Sequence, residues 1–230
     1  DYSSLACAPL GIADGWPHRG GGGLGLRVMT EGIWAVADVL GAQRVDVAGN
    51  SLGGALCLVA ALQRPERVGR IVLSNPACYP QELPRMYRLA RVPLLGELMM
   101  TVTTGQRLVA GIEHIGYVDK SRFVPELRAS YLRSLGLRRN RFRLMEMIRH
   151  LPADERDLTI AVHVPRLGEI RQPVMLTWGE QDPLLVAGSG ARLAADLPVC
   201  DIRRHPGLAH MPHEEAPDVV GAEWANFLAR

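Results

Sequence analysis

Residues 44–62 read RVDVAGNSLGGALCLVAAL, and this stretch decides the fold. Arg44 to Ala48 has the β-branched, apolar character of a strand, and Gly49 opens a tight turn. Leu52 to Gln63 is an almost wholly apolar helix that must stop before Pro65. A helix that is apolar all round is buried, here against a sheet. Between strand and helix lies Gly49-Asn50-Ser51-Leu52-Gly53, a G-x-S-x-G pattern. A sharp strand-to-helix turn holds such a serine in strained backbone geometry, and small residues two positions either side let strand and helix approach. The hydroxyl then stands at a helix N-terminus, where backbone N–H groups can stabilise negative charge. The pattern also arises in glycine-rich turns that merely pack a helix on a sheet, so its flanking strand and helix are what make it informative here.

Working outward, strands and helices alternate. Ser3 to Ala8 is a short apolar strand, followed by a Gly- and Pro-containing loop to about Leu26. Val28, Ile33, Val36, Ala37 and Leu40 fall near helical spacing, and Gly41 can end that helix. Val68 to Leu73, Val174 to Trp178 and Val199 to Arg203 read as strands, with helices near Ser189 to Leu197 and from Glu214 to Leu228. Such alternation implies a mostly parallel sheet with helices on both faces. From Asn75 to about Leu167 the texture is instead helical, interrupted by Pro80, Pro84, Pro93, Pro125 and Pro152. The expected domain organisation is a core in two parts, residues 1–76 and 168–230, with an inserted helical cap at residues 77–167.

Composition bounds the possibilities. With 230 residues, 47% of them hydrophobic, the chain can bury a sizeable core. A formal net charge of +2 gives no footprint for nucleic acid. Gln81 to Arg149 carries 13 Lys/Arg against 6 Asp/Glu, a basic segment that could favour anionic substrates but whose ordinary explanation is solvated helix faces. Cys7, Cys57, Cys78 and Cys200 sit in apolar runs without CxxC spacing, as buried free thiols of a reducing compartment do. The longest apolar stretch, Leu52 to Leu62, is too short to span a bilayer, and no leader peptide is visible. A cytoplasmic protein acting on a small molecule, without nucleic-acid or membrane partners, is the expectation; oligomeric state is not legible.

A serine nucleophile needs a base, and the base an orienting carboxylate. Asp182 follows the strand Val174 to Trp178, in the turn Gly179-Glu180-Gln181-Asp182-Pro183. His210 follows the strand near Val199 to Arg203 and precedes the last helix. Both positions fall at the carboxyl ends of parallel strands, where open α/β sheets place their sites. The competitors are Asp201 within or at the start of a strand, Glu180 earlier in the Asp182 turn, His205 before Pro206 as a turn residue, and His213, which heads the last helix beside Glu214 and Glu215, where acids suit the helix dipole, and reads as a support behind the site or as helix-end structure.

Taken together, VDVAGNSLGGALCLVAAL (45–62), LTWGEQDPLL (176–185) and PGLAHMPHEEAPDVV (206–220) resemble the three signature segments of the α/β-hydrolase superfamily in their usual order. The resemblance implies Ser51 as nucleophile, His210 as general acid/base, Asp182 as its partner, the Leu52 N–H in the oxyanion hole, and no metal or organic cofactor. Residues 1–15 resemble the family's fourth strand and following turn in degraded form, with Ala8 and Ala13 at usually acidic and glycine positions. On that frame the first three strands are expected to be missing, along with the loop that supplies a second oxyanion donor, leaving an incomplete product or a fragment. His18-Arg19-Gly20-Gly21-Gly22-Gly23 imitates such a loop, but it stands too close to Ser51 in sequence to serve.

Three functions follow from the resemblance. The foremost is a carboxylic-ester hydrolase working through an acyl-enzyme. A carbon–carbon bond hydrolase of the meta-cleavage type is favoured by Asn50 before the serine and disfavoured by Met211 where that group has Trp. The third is a non-catalytic or inactive member. A serine nucleophile sets aside the dehalogenase and epoxide-hydrolase branches, which use aspartate.

Overall fold

The computed structural model describes residues 26–149 and 160–230. The strand expected at Ser3 to Ala8 and the glycine loop at 18–23 lie outside the described residues. Among the described residues four strands form one parallel sheet in the order β1 (Val45–Asn50), β2 (Val68–Ser74), β3 (Val174–Gly179) and β4 (Cys200–His205). Helix α1 (Leu26–Val39) precedes β1, and α2 (Leu52–Gln63) crosses from β1 to β2. The helices α3 (Arg85–Arg91), α4 (Leu95–Val102), α5 (Gly105–Gly116), α6 (Pro125–Leu135) and α7 (Arg138–Arg149) separate β2 from β3. Helix α8 (Ser189–Asp196) links β3 to β4, and α9 (Pro212–Glu215) and α10 (Pro217–Leu228) close the chain.

Alternation along the strands sorts their side chains between two layers. Ile71 and Leu73 of β2, with Val174 and Leu176 of β3, join Leu58 and Ala61 of α2 and Leu193 of α8 in the main core. The intervening Val72 and Met175 turn the other way and meet Phe227 and Trp224 of α10. Helices therefore cover both faces. Burial on all sides explains why α2 shows no polar stripe: Leu52 and every residue from Gly54 to Leu62 are buried. Burial also pushes the Cys57 thiol up to about 12 and Cys78 higher still, keeping both protonated at neutral pH.

Several sequence expectations need correction. Residues 75–84 contain no helix, because Pro76, Pro80 and Pro84 interrupt the run before α3 begins at Arg85. The last helix is broken at Ala216, since Pro217 has no N–H to continue α9, and α10 starts on the proline. α1 ends at Val39, leaving Leu40 exposed, and Met29, Trp34 and Ala37 form its buried face. Cys200 is only half-buried. His205 is not a turn residue: it closes β4 opposite Gly179, and its Nε2 lies 3.2 Å from Glu223.

The turn from β1 into α2 is set by main-chain contact. A Cβ on Gly49 would lie 2.3 Å from the carbonyl of Gly53, and one on Gly54 would lie 2.8 Å from Pro76 Cβ and 2.9 Å from the Gly49 oxygen. A Cβ on Gly53 meets nothing within 4 Å. The sterically obligatory pair is thus Gly49 and Gly54, and Gly53 contributes its backbone alone, contrary to the simple spacing rule. Accordingly, Gly53→Ala should hold or raise stability, since alanine favours a helix over glycine by about 1 kcal/mol. Gly54→Ala should lower it by about 1–3 kcal/mol through overpacking. Urea titrations followed by circular dichroism distinguish the two.

Candidate active site

Because the strands are parallel and in register, their carboxyl ends share one edge. Asn50 pairs with Ser74, Ser74 with Thr177, and Gly179 with His205. The residues that follow each strand, Ser51, Asn75, Asp182 and His210, are delivered to that edge.

Ser51 adopts φ 53°, ψ −120°, a left-handed conformation that a side chain rarely occupies and that the surrounding turn must hold in place. Its N–H donates to the Ser74 carbonyl, and its own carbonyl accepts from Ala55 and Ala77. The Ser51 backbone is thereby tied to both α2 and the segment after β2. Ser51 faces a cleft walled by Ala77, Leu83, Leu184 and Leu185, with Tyr79 and Gln81 at its side. The polar ends of those last two are engaged: Tyr79 donates to Asp196, and Gln81 spans the Leu184 carbonyl and the Val186 N–H.

His210 and Asp182 meet directly, Nδ1 to Oδ2 at 2.7 Å, with both side chains almost fully buried. Burial alone pushes the Asp182 carboxyl upward. The hydrogen bond and charge of His210, together with N–H donors from Leu184 and Leu185, outweigh it and hold the acid below its usual range. Asp182 therefore stays ionised and fixes Nδ1 as the protonated ring nitrogen, leaving Nε2 as the basic one. The His210 backbone is anchored to the turn that carries Ser51, since Asn50 Nδ2 donates to the His210 carbonyl at 2.9 Å. The second Asn50 N–H goes to the Ser74 carbonyl. The structure thus joins His210 to Asp182 by side chains and to Asn50 through the main chain. The Ser51 hydroxyl forms no hydrogen bond among the described residues.

Of the competitors, Asp201 pairs with Arg203 on β4, and Glu180 lies within 2.5 Å of Arg204. His213 is more than a helix-end residue. Its Nδ1 lies 3.3 Å from Ser74 Oγ, and its ring stacks on Trp224, which donates to Thr177. Burial lowers its pKa, against the opposing charge of Glu214, so it is neutral where an exposed histidine begins to charge.

One residue at this edge was not singled out from sequence. Asn75, fully buried with φ 39°, spends its carboxamide on two neighbours. Oδ1 accepts from the Gly179 N–H at 2.9 Å, while Nδ2 donates to the Gly179 carbonyl at 3.2 Å and to Asp182 Oδ2 at 2.7 Å. The side chain acts as one more rung of the β2–β3 ladder and carries the carboxylate on its free hydrogen. The available signal was an asparagine, the non-glycine residue that best tolerates positive φ, standing at a strand end before Pro76.

The family profile described as "Alpha/beta hydrolase family" matches residues 16–223. The chain belongs to that family. The hydrolase is 28% identical over 204 residues to a 2-hydroxy-6-oxo-6-phenylhexa-2,4-dienoate hydrolase of Burkholderia cepacia, a match covering 88% of this chain and 68% of the relative. It is 30% identical to a 2-hydroxy-6-oxononadienedioate/2-hydroxy-6-oxononatrienedioate hydrolase of Paraburkholderia phymatum, covering 85% of this chain and 66% of that one. The hydrolase thus spans about two-thirds of each of these curated relatives. Its fold superposes on the enol-lactonase of Burkholderia xenovorans with a TM-score of 0.72 at 17% identity, over 97% of this chain and 76% of that one. It also superposes on the haloalkane dehalogenase DbeA of Bradyrhizobium elkani, TM-score 0.76 at 19% identity, over 92% and 76%. At such identities the two structures speak for the fold alone.

Asn75→Ala removes one donor from Asp182 and both links to Gly179, so, on the serine-nucleophile reading proposed below, phosphonylation of Ser51 by a fluorophosphonate should slow by about ten- to a hundredfold, at about 1.4 kcal/mol per decade. His213 gives a pH signature. Its folded pKa lies below the unfolded value, so the unfolded chain takes up the proton first. The contribution of neutral His213 is full above about pH 6.5 and is lost progressively as pH falls from there through the lower folded value. The urea midpoint should therefore drop between about pH 7.5 and pH 5.5 (one unit either side of that reference), and less so in His213→Asn.

Proposed function

We propose that this protein is a serine hydrolase in which Ser51 attacks a substrate carbonyl, His210 Nε2 removes the Ser51 proton, and Asp182 holds the imidazole in the required tautomer. The observation that carries this reading is the buried His210–Asp182 pair, tied through Asn50 to the strained serine turn. In the tetrahedral intermediate the negative oxygen would be met by the Leu52 N–H, which sits in the first turn of α2, where no helical carbonyl lies four residues back to accept it. His210 then returns the proton to the leaving group. Water activated by the same imidazole releases the acid from Ser51.

The substrate class is drawn from the relatives. Those named above act, by their names, on 2-hydroxy-6-oxo dienoates, and we take cleavage of a carbon–carbon bond next to a ketone in a vinylogous acid as the favoured reaction. There the leaving carbon departs as a dienol carbanion equivalent that needs a proton, which suits a site holding a reusable acid. Cleavage of a carboxylic ester is the second reading. It is supported by the aliphatic wall of Ala77, Leu83, Leu184 and Leu185 beside Ser51, which suits an apolar acyl group. The helices between β2 and β3 are proposed to cap this cleft.

A fluorophosphonate probe should label Ser51, and Ser51→Ala should abolish labelling. His210→Ala should slow it by about ten-thousandfold, the scale of a lost base. An unlabelled, folded wild-type protein would remove the nucleophile assignment. Steady-state turnover of a 2-hydroxy-6-oxo dienoate against a nitrophenyl ester then separates the two substrates. A higher kcat/KM for the ester would overturn the carbon–carbon preference.

A further inference from the structure

The segment after β4 is held from a side that the serine-histidine-aspartate chemistry does not use. Glu215 is 2% exposed, and its carboxylate collects three main-chain donors, two from a distant turn and one from its own preceding loop. Oε1 accepts from the N–H groups of Val118 and Asp119 at 2.7 and 2.9 Å, just beyond the end of α5. Oε2 accepts from the N–H of Ala209, the residue before His210, at 2.8 Å. Beside this clasp the His210 N–H points to the Ile115 carbonyl at 3.4 Å, and the Met211 N–H donates to that of Gly116 at 3.1 Å. Glu214 adds the hydroxyls of Tyr117 and Tyr131 at 2.6 and 2.9 Å.

We propose that Glu215 is a positioning residue for His210: its carboxylate locks the histidine loop to the turn at residues 115–119, so that the helices between β2 and β3 set the height of the imidazole over Ser51. This rests on the serine-hydrolase reading above. The chemistry requires a carboxylate in particular. Three N–H groups converge on one side chain, and only an acceptor-only group with two oxygens meets all of them without setting donor against donor. The sequence suggested a helix-dipole role for the acids at 214 and 215. The observed partners lie instead on other segments, and they fix where α9 and the histidine loop sit relative to the insertion.

The test is Glu215→Gln, which preserves volume and one acceptor oxygen. The amide arm must then face either the Ala209 N–H or those of Val118 and Asp119, so one half of the clasp opens. Phosphonylation of Ser51 should slow by about tenfold or more, the scale of a charged hydrogen bond lost in a buried site. Turnover should fall in kcat with little change in KM. Arg67→Ala is the stability control. It removes an ion pair to Asp38 and a stacking contact on Trp34 at the opposite edge of the sheet. Equal labelling rates for folded Glu215→Gln and Arg67→Ala would overturn the role of Glu215, whereas failure of the wild type to label would overturn the hydrolase reading instead. Should Glu215→Gln not fold, amide exchange in the wild type decides. The linkage expects Ala209, Val118 and Asp119 to open as one unit, and exchange at Ala209 more than about tenfold faster than at the other two would overturn it.

Discussion

Close main-chain contact at the turn between β1 and α2 is the constraint on which the site depends. Residue 49 can touch the backbone of 53 and 54 only if it has no side chain, and residue 54 can lie against Pro76 only on the same condition. Those contacts push the residue between strand and helix into positive φ and lift its side chain clear of both elements. Everything else at the carboxyl edge is organised around that fixed point. Asn50 reaches to the His210 carbonyl, Ser74 accepts the Ser51 N–H, and Ala77 binds the Ser51 carbonyl.

The insertion between β2 and β3 is built differently from the body. It has two small cores of its own, one from Ala90, Met100, Met145 and Ile148, the other from Val109, Tyr117, Phe123 and Leu135. Its attachments to the sheet layer include two polar links, the clasp at residues 115–119 and Gln81 against the loop after Asp182, and the apolar packing of Met147 on the α2 cluster. Several of its arginines are engaged locally, as in Arg128 with Glu113 and Arg149 with Glu97. Its basic balance thus has a structural explanation in local pairing and solvated faces.

Much of this was legible in the chain because the signals were local. Residues 44–63 combine a strand pattern, a glycine turn and an apolar helix within a few neighbours, and the strands around Val174 and Val199 were bounded by equally plain turns. Asp182 and His210 could be named because each follows a strand whose end had to reach one edge. Asn75 and Glu215 escaped because most of their partners, the peptide groups of Gly179, Val118 and Asp119, lie about a hundred positions away, and no spacing rule encodes a contact to a peptide group. The break at Ala216 was readable from Pro217. It was missed because acidic residues on one side and apolar ones on the other continued the helical pattern across it.

The dual use of the Asn75 carboxamide has a consequence for how such an enzyme would fail on warming. The same carboxamide that splices β2 to β3 beyond the last regular rung also holds the carboxylate beside the imidazole, through its Nδ2. Fraying at that end of the sheet, an early and local event, would disconnect the relay while the helical layers remained packed. Thermal loss of chemistry would then run ahead of melting, a separation written into a single amide side chain.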